Sequence, residues 1–239
     1  MNGSPPAVKG TLHCRDGRPC VPVPFEGRRL GEADLGAVIA LHRLVLASMP
    51  AHLLATETDA FFADHMARIG RILGLFAEER LIAYGVLGLP GPVDPSLADD
   101  LGWAAERARV AHIDGISVRS EWRGNRLQRV LTAWRLREAA AAGRSLVITT
   151  VAPGNAASLL NILAEGLTIR ALRQKYGGWR YLMARDLDGP LAPSAAKGCW
   201  IDAADIAAQE RLLAAGAIGW KAEAGAAGIR VWFAPAAGT

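Results

Sequence analysis

The sequence predicts an α/β protein with a mixed sheet (an α+β arrangement), and three observations support this fold class. Short apolar runs of strand length alternate with longer segments whose apolar residues recur every three or four positions. From residue 32 to residue 188 the predicted order is α-α-β-β-β-α-β-α-β-β, which contains both adjacent strands and strand–helix–strand units. Hydrophobic residues make up 51% of the 239-residue chain, enough for a sizeable core.

Residues 1–30 are predicted to be an irregular lead-in with room for one strand at residues 21–25. The first ten residues are polar and rich in turn formers. We therefore expect them to be disordered and to be neither a signal peptide nor a membrane segment. No apolar run reaches about 18 residues, so neither a transmembrane helix nor a membrane partner is expected.

The cysteines do not form a paired framework. They are Cys14, Cys20 and Cys199. An odd number at these spacings indicates reduced thiols in a cytoplasmic protein. Neither the cysteines nor the histidines of the first half have partners at ligand spacing, so no metal is predicted.

The first half of the main segment is predicted to be helical and then to form a hairpin. Residues 32–48 form an amphipathic pattern that stops before a proline, and Thr58 can cap a second helix that runs to about residue 68. Residues 71–77 and 81–87 are apolar runs separated by three charged residues, which predicts a β-hairpin. Residues 90–100 are rich in Pro, Gly and Asp and predict a loop.

The second half alternates strands and helices. The predicted elements are strand 110–118, helix 125–142, strand 146–151, helix 155–165, strand 169–176 and strand 179–186. Gly143 and Gly166 directly follow the two helices, where a left-handed residue commonly ends a helix.

Residues 31–188 are thus predicted to form one domain, followed by a linker over 189–198 and a C-terminal extension over 199–239. The extension is predicted to be a βαββ-like unit packed on or near the sheet. No internal repeat is evident in the sequence. The extension can cover a binding site, extend the sheet or pair with a second copy, and its apolar strand edges are compatible with a homodimer.

The segment from Arg123 to Gln128 joins the strand 110–118 to the following helix through a polar turn. The unpaired N–H groups of a helix start and the helix dipole favour an anion such as phosphate. Gly124 lets the backbone come close to such a ligand. Arg126 can add a charged contact or can block the site, and an ordinary helix start is the alternative.

This turn, together with the eleven-residue spacing from Asn155 to Gly166, resembles the two acyl-CoA-binding motifs of the GNAT superfamily of N-acetyltransferases. The resemblance covers about two thirds of the chain, and Arg126 and Gln128 depart from its small residues. It implies a GNAT-like acyl-CoA N-acyltransferase fold with a coenzyme A groove between strands 110–118 and 146–151. The implied cofactor-binding residues are Ile116, Ser117, Val118, Arg123, Gly124, Asn125, Arg126, Leu127, Gln128, Arg129, Asn155 and Ser158.

The resemblance also implies a base for the acceptor amine on the strand that leads into the turn. His112 and Asp114 are the candidates, although a histidine satisfied within the sheet and a surface carboxylate are the alternatives. Ile162 stands where the family often has a tyrosine that protonates the leaving thiolate. Tyr176, Tyr181 or water is then the candidate acid.

The function implied by the resemblance is acetyl-CoA-dependent transfer of an acetyl group directly to a primary amine of a small molecule or peptide. The alternative is a non-catalytic acyl-CoA-binding or regulatory module. Residues 101–190 contain 14 Lys/Arg and 7 Asp/Glu, an excess of 14 − 7 = +7, which suits a phosphate-rich ligand. Nucleic acid is not expected as a partner.

Overall fold

The computed structural model describes residues 8–13, 21–53, 55–194 and 198–237. Cys14, Cys20, most of the stretch expected to be disordered and part of the predicted linker lie outside the described residues. None of the helices within these ranges is long and apolar enough to cross a membrane.

The described residues form an α/β fold around one mixed sheet of eleven strands. The strands are β1 (Val8–Leu12), β2 (Val23–Leu30), β3 (Gly70–Ala77), β4 (Arg80–Gly88), β5 (Val110–Val118), β6 (Leu146–Val151), β7 (Thr168–Lys175), β8 (Gly178–Asp186), β9 (Cys199–Asp202), β10 (Ile218–Gly225) and β11 (Gly228–Ala234). The helices are α1 (Leu35–Leu46), α2 (Asp59–Asp64), α3 (Leu97–Asp100), α4 (Leu127–Ala141), α5 (Ala156–Ala164) and α6 (Ile206–Ala214). The spatial order of the strands is β1-β2-β3-β4-β5-β6-β8-β7-β10-β11-β9.

Helices α1 and α4 cover opposite faces of the sheet. On β4, the Tyr84 hydroxyl lies 2.9 Å from Nδ1 of His42 in α1. A methyl group on the next residue, Gly85, would lie 3.0 Å from Nε of Arg135 in α4. Because successive strand residues point to opposite faces, the sheet lies between the two helices.

Strands β5 and β6 pair in parallel over only three residues each, and then separate. The pairs are Val110 with Leu146, Ala111 with Val147, and His112 with Ile148. Just beyond them, Oγ1 of Thr149 donates to the carbonyl of Ile113, so a side chain replaces the ladder hydrogen bond. A groove therefore opens between the two strands, where the sequence predicts one.

Several predicted boundaries are corrected by the structure. The lead-in contributes two strands, β1 and β2, and β1 includes residues 8–10 of the stretch expected to be disordered. The loop predicted at 90–100 contains α3. Helix α4 begins two residues later than predicted, because Arg126 is left-handed and the Asn125 side chain bonds to the backbone of His13 instead.

The structure contains a repeat of elements that the sequence does not make evident. The segment 146–186 (β6, α5, β7, β8) and the segment 199–234 (β9, α6, β10, β11) are the same βαββ unit, here called the first and second units. Helices α5 and α6 begin at Ala156 and Ile206, and strands β8 and β11 begin at Gly178 and Gly228, a shift of 50 residues each time.

The two units meet through β7 and β10, which pair in antiparallel fashion at Ile169 and Gly219. The strand order of the second unit mirrors that of the first, so an approximate twofold axis passes between β7 and β10. Leu159 of α5 and Leu212 of α6 belong to one hydrophobic cluster, so both helices cover the same face of the sheet. The C-terminal extension therefore continues the sheet.

Candidate active site

A cavity of about 490 Å³ lies at the opening between β5 and β6. It contains most of the residues that the sequence predicts for a coenzyme A site. The predicted residues that line it are Asp114, Ile116, Ser117, Val118, Arg123, Gly124, Arg126, Leu127, Gln128, Asn155, Ser158 and Tyr176. His112, Asn125 and Arg129 are not among its lining residues.

The turn before α4 has the backbone shape that an anion site requires. Gly124 and Arg126 have φ values of 85° and 57°, in the left-handed region that favours glycine. Arg126 therefore adopts the conformation that a glycine would favour, and its exposed side chain lies at the cavity wall. Helix α4 begins at Leu127, and the N–H groups of its first turn have no intrahelical acceptor.

Gln128 replaces the second small residue of the motif and ties α4 to α5. Its Nε2 donates to Oγ of Ser158 at 3.0 Å, and its Oε1 accepts from Nδ2 of Asn161 at 3.1 Å. The Gln128 amide is therefore bonded within the protein, and it fixes the spacing of the two helices that border the cavity.

Asn155 combines a structural role with a position in the cavity wall. Its Oδ1 accepts from the N–H of Ser158 at 3.1 Å, which caps α5, as the sequence predicts. Among the residues that the structure describes, its Nδ2 has only a 3.5 Å contact with the carbonyl of Leu53. The amide thus keeps donor capacity toward the cavity.

Two carboxylates, Asp114 and Glu57, line the cavity, and His65 lies behind Asp114. Asp114 on β5 lies 3.4 Å from Nε2 of His65, whose Nδ1 donates to the carbonyl of Phe61. Burial alone would lower the pKa of His65, but the hydrogen bonds to Asp114 and Phe61 raise it above its ordinary value. The contact with Asp114 therefore favours the protonated form of His65.

Glu57 is the second of these carboxylates, and burial raises its pKa to about 7 with a further contribution from the charge of Asp114. Its N–H donates to Nε2 of His42 at 3.3 Å. The other nitrogen of His42 bonds to the Tyr84 hydroxyl, which accepts from Ser117. This buried chain holds the Glu57 backbone against β5.

Sequence reasoning missed Glu57. It precedes the predicted cap Thr58 and belongs to no motif, because its position depends on how the loop between α1 and α2 folds over β5. In the structure it lies close to Gly115 of β5, where a methyl group would lie 3.7 Å from Cγ of Glu57.

A β-bulge in β5 shapes the strand beside Asp114. Ile116 pairs with Gly85 and Ile113 with Leu87, so β5 has one extra residue between these pairs. The fully buried guanidinium of Arg135 donates to the carbonyls of Val86 and Asp114 at this bulge. Burial lowers the pKa of Arg135 to about 9, and its hydrogen bonds satisfy the carbonyls that the bulge leaves unpaired.

The other candidates for acid or base lie in different surroundings. His112 is buried, and its Nε2 accepts from the N–H of Leu97 at 3.2 Å, so it holds the loop before β5. Burial also lowers the pKa of His112. Tyr181 donates to Gln209 of α6, and Ile162 packs in the core. Tyr176 lines the cavity with 55% of its surface exposed.

No family model matches the sequence, and no curated protein is significantly similar to it. Solved structures do match. An acetyltransferase of the GNAT family from Streptococcus pneumoniae is 15% identical, with a TM-score of 0.54 over 68% of this chain and 99% of that one. The chain has the GNAT fold.

Two further structures with this fold match over similar lengths. A putative acetyltransferase from Salmonella typhimurium, solved with its cofactor acetyl-CoA, is 19% identical, with a TM-score of 0.53 over 72% of this chain and 99% of that one. A ribosomal-protein-alanine N-acetyltransferase from Brucella melitensis is 22% identical, with a TM-score of 0.51 over 67% and 99%. These proteins are matched almost completely, so the present chain is longer than the GNAT fold alone.

Proposed function

We propose that the protein is an acetyl-CoA-dependent N-acetyltransferase that acts on a primary amine by direct transfer. The observation that carries this proposal is the placement of Glu57 and Asp114 in the cavity where β5 and β6 separate. A carboxylate with a pKa near neutral, beside an anion-binding helix start, suits an amine and a phosphate-bearing donor in one site.

The residues that line the groove fit acetyl-CoA. The free N–H groups at the start of α4 and the exposed Arg126 suit the pyrophosphate, and Asn155 with the open edge of β5 suits the amides of the pantetheine arm. When bound, acetyl-CoA supplies the thioester that is the acyl donor.

Glu57 is the proposed base. A carboxylate with a pKa of about 7 can take a proton from the acceptor ammonium near neutral pH. Asp114, which lines the same cavity and contacts His65, then holds the acceptor ammonium near Glu57. His112, a candidate from the sequence, is not carried into this mechanism, because its nitrogen bonds to the loop before β5.

Direct transfer is favoured over a covalent enzyme intermediate. Two serines line the cavity, Ser117 and Ser158, and their hydroxyls are bonded to Tyr84 and Gln128. No cysteine is among the described residues that line the cavity. Neither serine is paired with a base, as an activated nucleophile requires.

Tyr176 is the proposed acid for the leaving thiolate. Burial raises the pKa of its phenol, and the charges of Asp114 and Glu57 raise it further. The hydroxyl therefore stays protonated at neutral pH and can donate. Water is the alternative acid, and Tyr176→Phe distinguishes the two by its effect on kcat.

The test is release of free coenzyme A thiol on incubation with acetyl-CoA and a panel of primary amines, polyamines and peptides. Glu57→Gln should lower kcat/KM by about 10²–10⁴-fold, because the base is lost. Glu32→Gln, an exposed carboxylate in the short 3₁₀ helix before α1, is the matched control. Bound acetyl-CoA without turnover of any amine would favour the non-catalytic module.

The pH dependence of kcat/KM gives a second test of the base. Activity should rise with pH through about 7 and then level off, because Glu57 acts only when it is deprotonated. The rise should disappear in Glu57→Gln. A profile that is flat across this range in the unmodified protein would exclude Glu57 as the base.

The acceptor that we propose is a primary amine of a small molecule or peptide. Two of the structural neighbours are named for ribosomal-protein alanine acetylation, which supports peptide amines alongside small molecules in the screen. We propose a cytoplasmic location. A homodimer would use the edges of β1 or β9, because β7 is already paired with β10.

A further inference from the structure

The two βαββ units contain the same β-bulge but place different side chains in it. In β7 the register shifts between Ile169 and Ala171, so Arg170 is the extra residue. In β10 it shifts between Gly219 and Lys221, so Trp220 is the extra residue. These two residues are separated by the same 50-residue shift as the rest of the repeat.

Trp220, at the second bulge, has a hydrogen-bond partner within the protein, whereas Arg170, at the first bulge, has none among the described residues. Trp220 donates from Nε1 to the carbonyl of Ala234 at 2.9 Å. Arg170 has neither a hydrogen bond nor an ion pair with any residue that the structure describes. Its guanidinium lies 5.4 Å from the centre of the Trp103 ring.

The Arg170 guanidinium is placed to hydrogen-bond an anion. Its side chain is partly buried, and burial lowers the pKa of the guanidinium. None of its nitrogens is both buried and unpaired, so they reach solvent and a ligand can contact them. A charged hydrogen bond in such a partly buried place is stronger than one in open water.

Arg170 faces a cavity of about 340 Å³. Much of its wall is apolar and consists of Trp103, Leu146, Ala184, Pro190 and Leu191. The other two cations are engaged: Arg109 with Glu106 and Asp186, and Arg185 with the carbonyl of Glu165. Arg170 is thus the cation of this cavity that remains available within the described part of the chain.

We propose that this cavity binds a small organic acid. The carboxylate of the ligand accepts two hydrogen bonds from the Arg170 guanidinium, and its apolar body packs on Trp103 and Leu191. The size of the cavity is within the range of small-molecule sites. It shares no lining residue with the cavity between β5 and β6, so both ligands can be held at once.

The experiment uses the full chain and hexanoate as the probe, with the neutral hexanamide as the matched ligand. Calorimetric titration should show one hexanoate per chain and hexanamide binding at least about tenfold weaker, because the charged hydrogen bonds are lost. Arg170→Met should weaken hexanoate binding by a similar factor. Arg173→Met, on the same strand but exposed, should leave it unchanged.

Thermal unfolding gives a second readout of the same site. Excess hexanoate should raise the Tm of the unmodified protein and leave the Tm of Arg170→Met unchanged, because a ligand that binds only the folded state stabilises it. An equal rise in both proteins would overturn the proposal, as would failure of hexanoate to bind the unmodified protein. Displacement of hexanoate by acetyl-CoA would overturn it too, since the acid would then occupy the other cavity.

Discussion

The first and second βαββ units have the same elements, the same helix caps and the same bulge, yet only the first borders the candidate active site. The difference lies in what each unit packs against. In the first unit, β6 lies between β8 and β5, and it pairs with β5. Gln128 of α4 donates a hydrogen bond to Ser158 of α5. In the second unit, β9 is the last strand of the sheet. The unit alone therefore does not form the cavity, and the neighbouring β5 and α4 complete the candidate site.

The largest expected effect comes from disturbing the contact between the two units, where Gly219 of β10 pairs with Ile169 of β7. A methyl group at Gly219 would lie 2.8 Å from the Ile169 side chain, so Gly219→Ile should destabilise the protein by about 2–3 kcal/mol. Gly225→Ala, where a methyl group meets nothing within 4 Å, is the control. Chemical denaturation measures the change in the free energy of unfolding.

Acetyl-CoA affinity of the folded Gly219→Ile variant sharpens this test. We expect it to stay within a factor of about two, because the groove is built without the second unit. A large loss of affinity would show that the second unit takes part in the site and that the comparison is too simple.

A smaller effect comes from the carboxylate of Glu57, which lies in the cavity that the first unit borders and the second does not. Tyr176 lines the cavity that holds Glu57, whereas the equivalent residue of the second unit is Ala226. Burial raises the pKa of Glu57 from 4.5 to about 7, so its ionisation costs stability progressively over this interval and fully above it. Glu57→Gln should be more stable than the unmodified protein by about 1–2 kcal/mol above pH 7.

The gain in Glu57→Gln should vanish below pH 4.5, where the glutamic acid is neutral in both the folded and the unfolded protein. Glu223→Gln in the second unit, an exposed carboxylate, should change little at either pH. Denaturation curves at the two ends of the interval measure the difference. A gain that does not depend on pH would mean that the effect is not electrostatic.

The smallest effect compares the two helix caps. Asn155 and Asp205 each accept a backbone N–H with their side-chain oxygen, so replacement of either by Ala should cost about 1 kcal/mol of stability. Only Asn155→Ala should weaken acetyl-CoA binding, by about three- to tenfold, because only Asn155 lines the groove. Equal losses of affinity in both variants would point to a general effect of helix fraying.

Much of the fold follows from local patterns in the sequence. Helix α1 follows from its apolar spacing, the hairpin of β3 and β4 from two apolar runs around a charged turn, and α5 from Asn155 and Gly166 at its ends. These signals lie within short windows, because helix caps and turns are formed by neighbouring residues.

What the sequence did not indicate depends on contacts between distant residues. The repeat is visible in backbone positions but hardly in residue identities, since Asn155 corresponds to Asp205 and Arg170 to Trp220. Glu57 meets Asp114 only after two helices have packed on the sheet. Arg126 is left-handed, the conformation that a glycine would favour at this position. The sequence does not show this, because an arginine rarely adopts that conformation.

The short pairing of β5 with β6 has a consequence for dynamics. Only three residue pairs connect a block of five strands to a block of six, and beyond His112 and Ile148 the facing backbone groups have no ladder partner in the other strand. Amide protons along this line should exchange with solvent faster than those inside either block. A ligand that bonds to both strands would act as the missing strand segment, and slower exchange there would report how completely it closes the sheet.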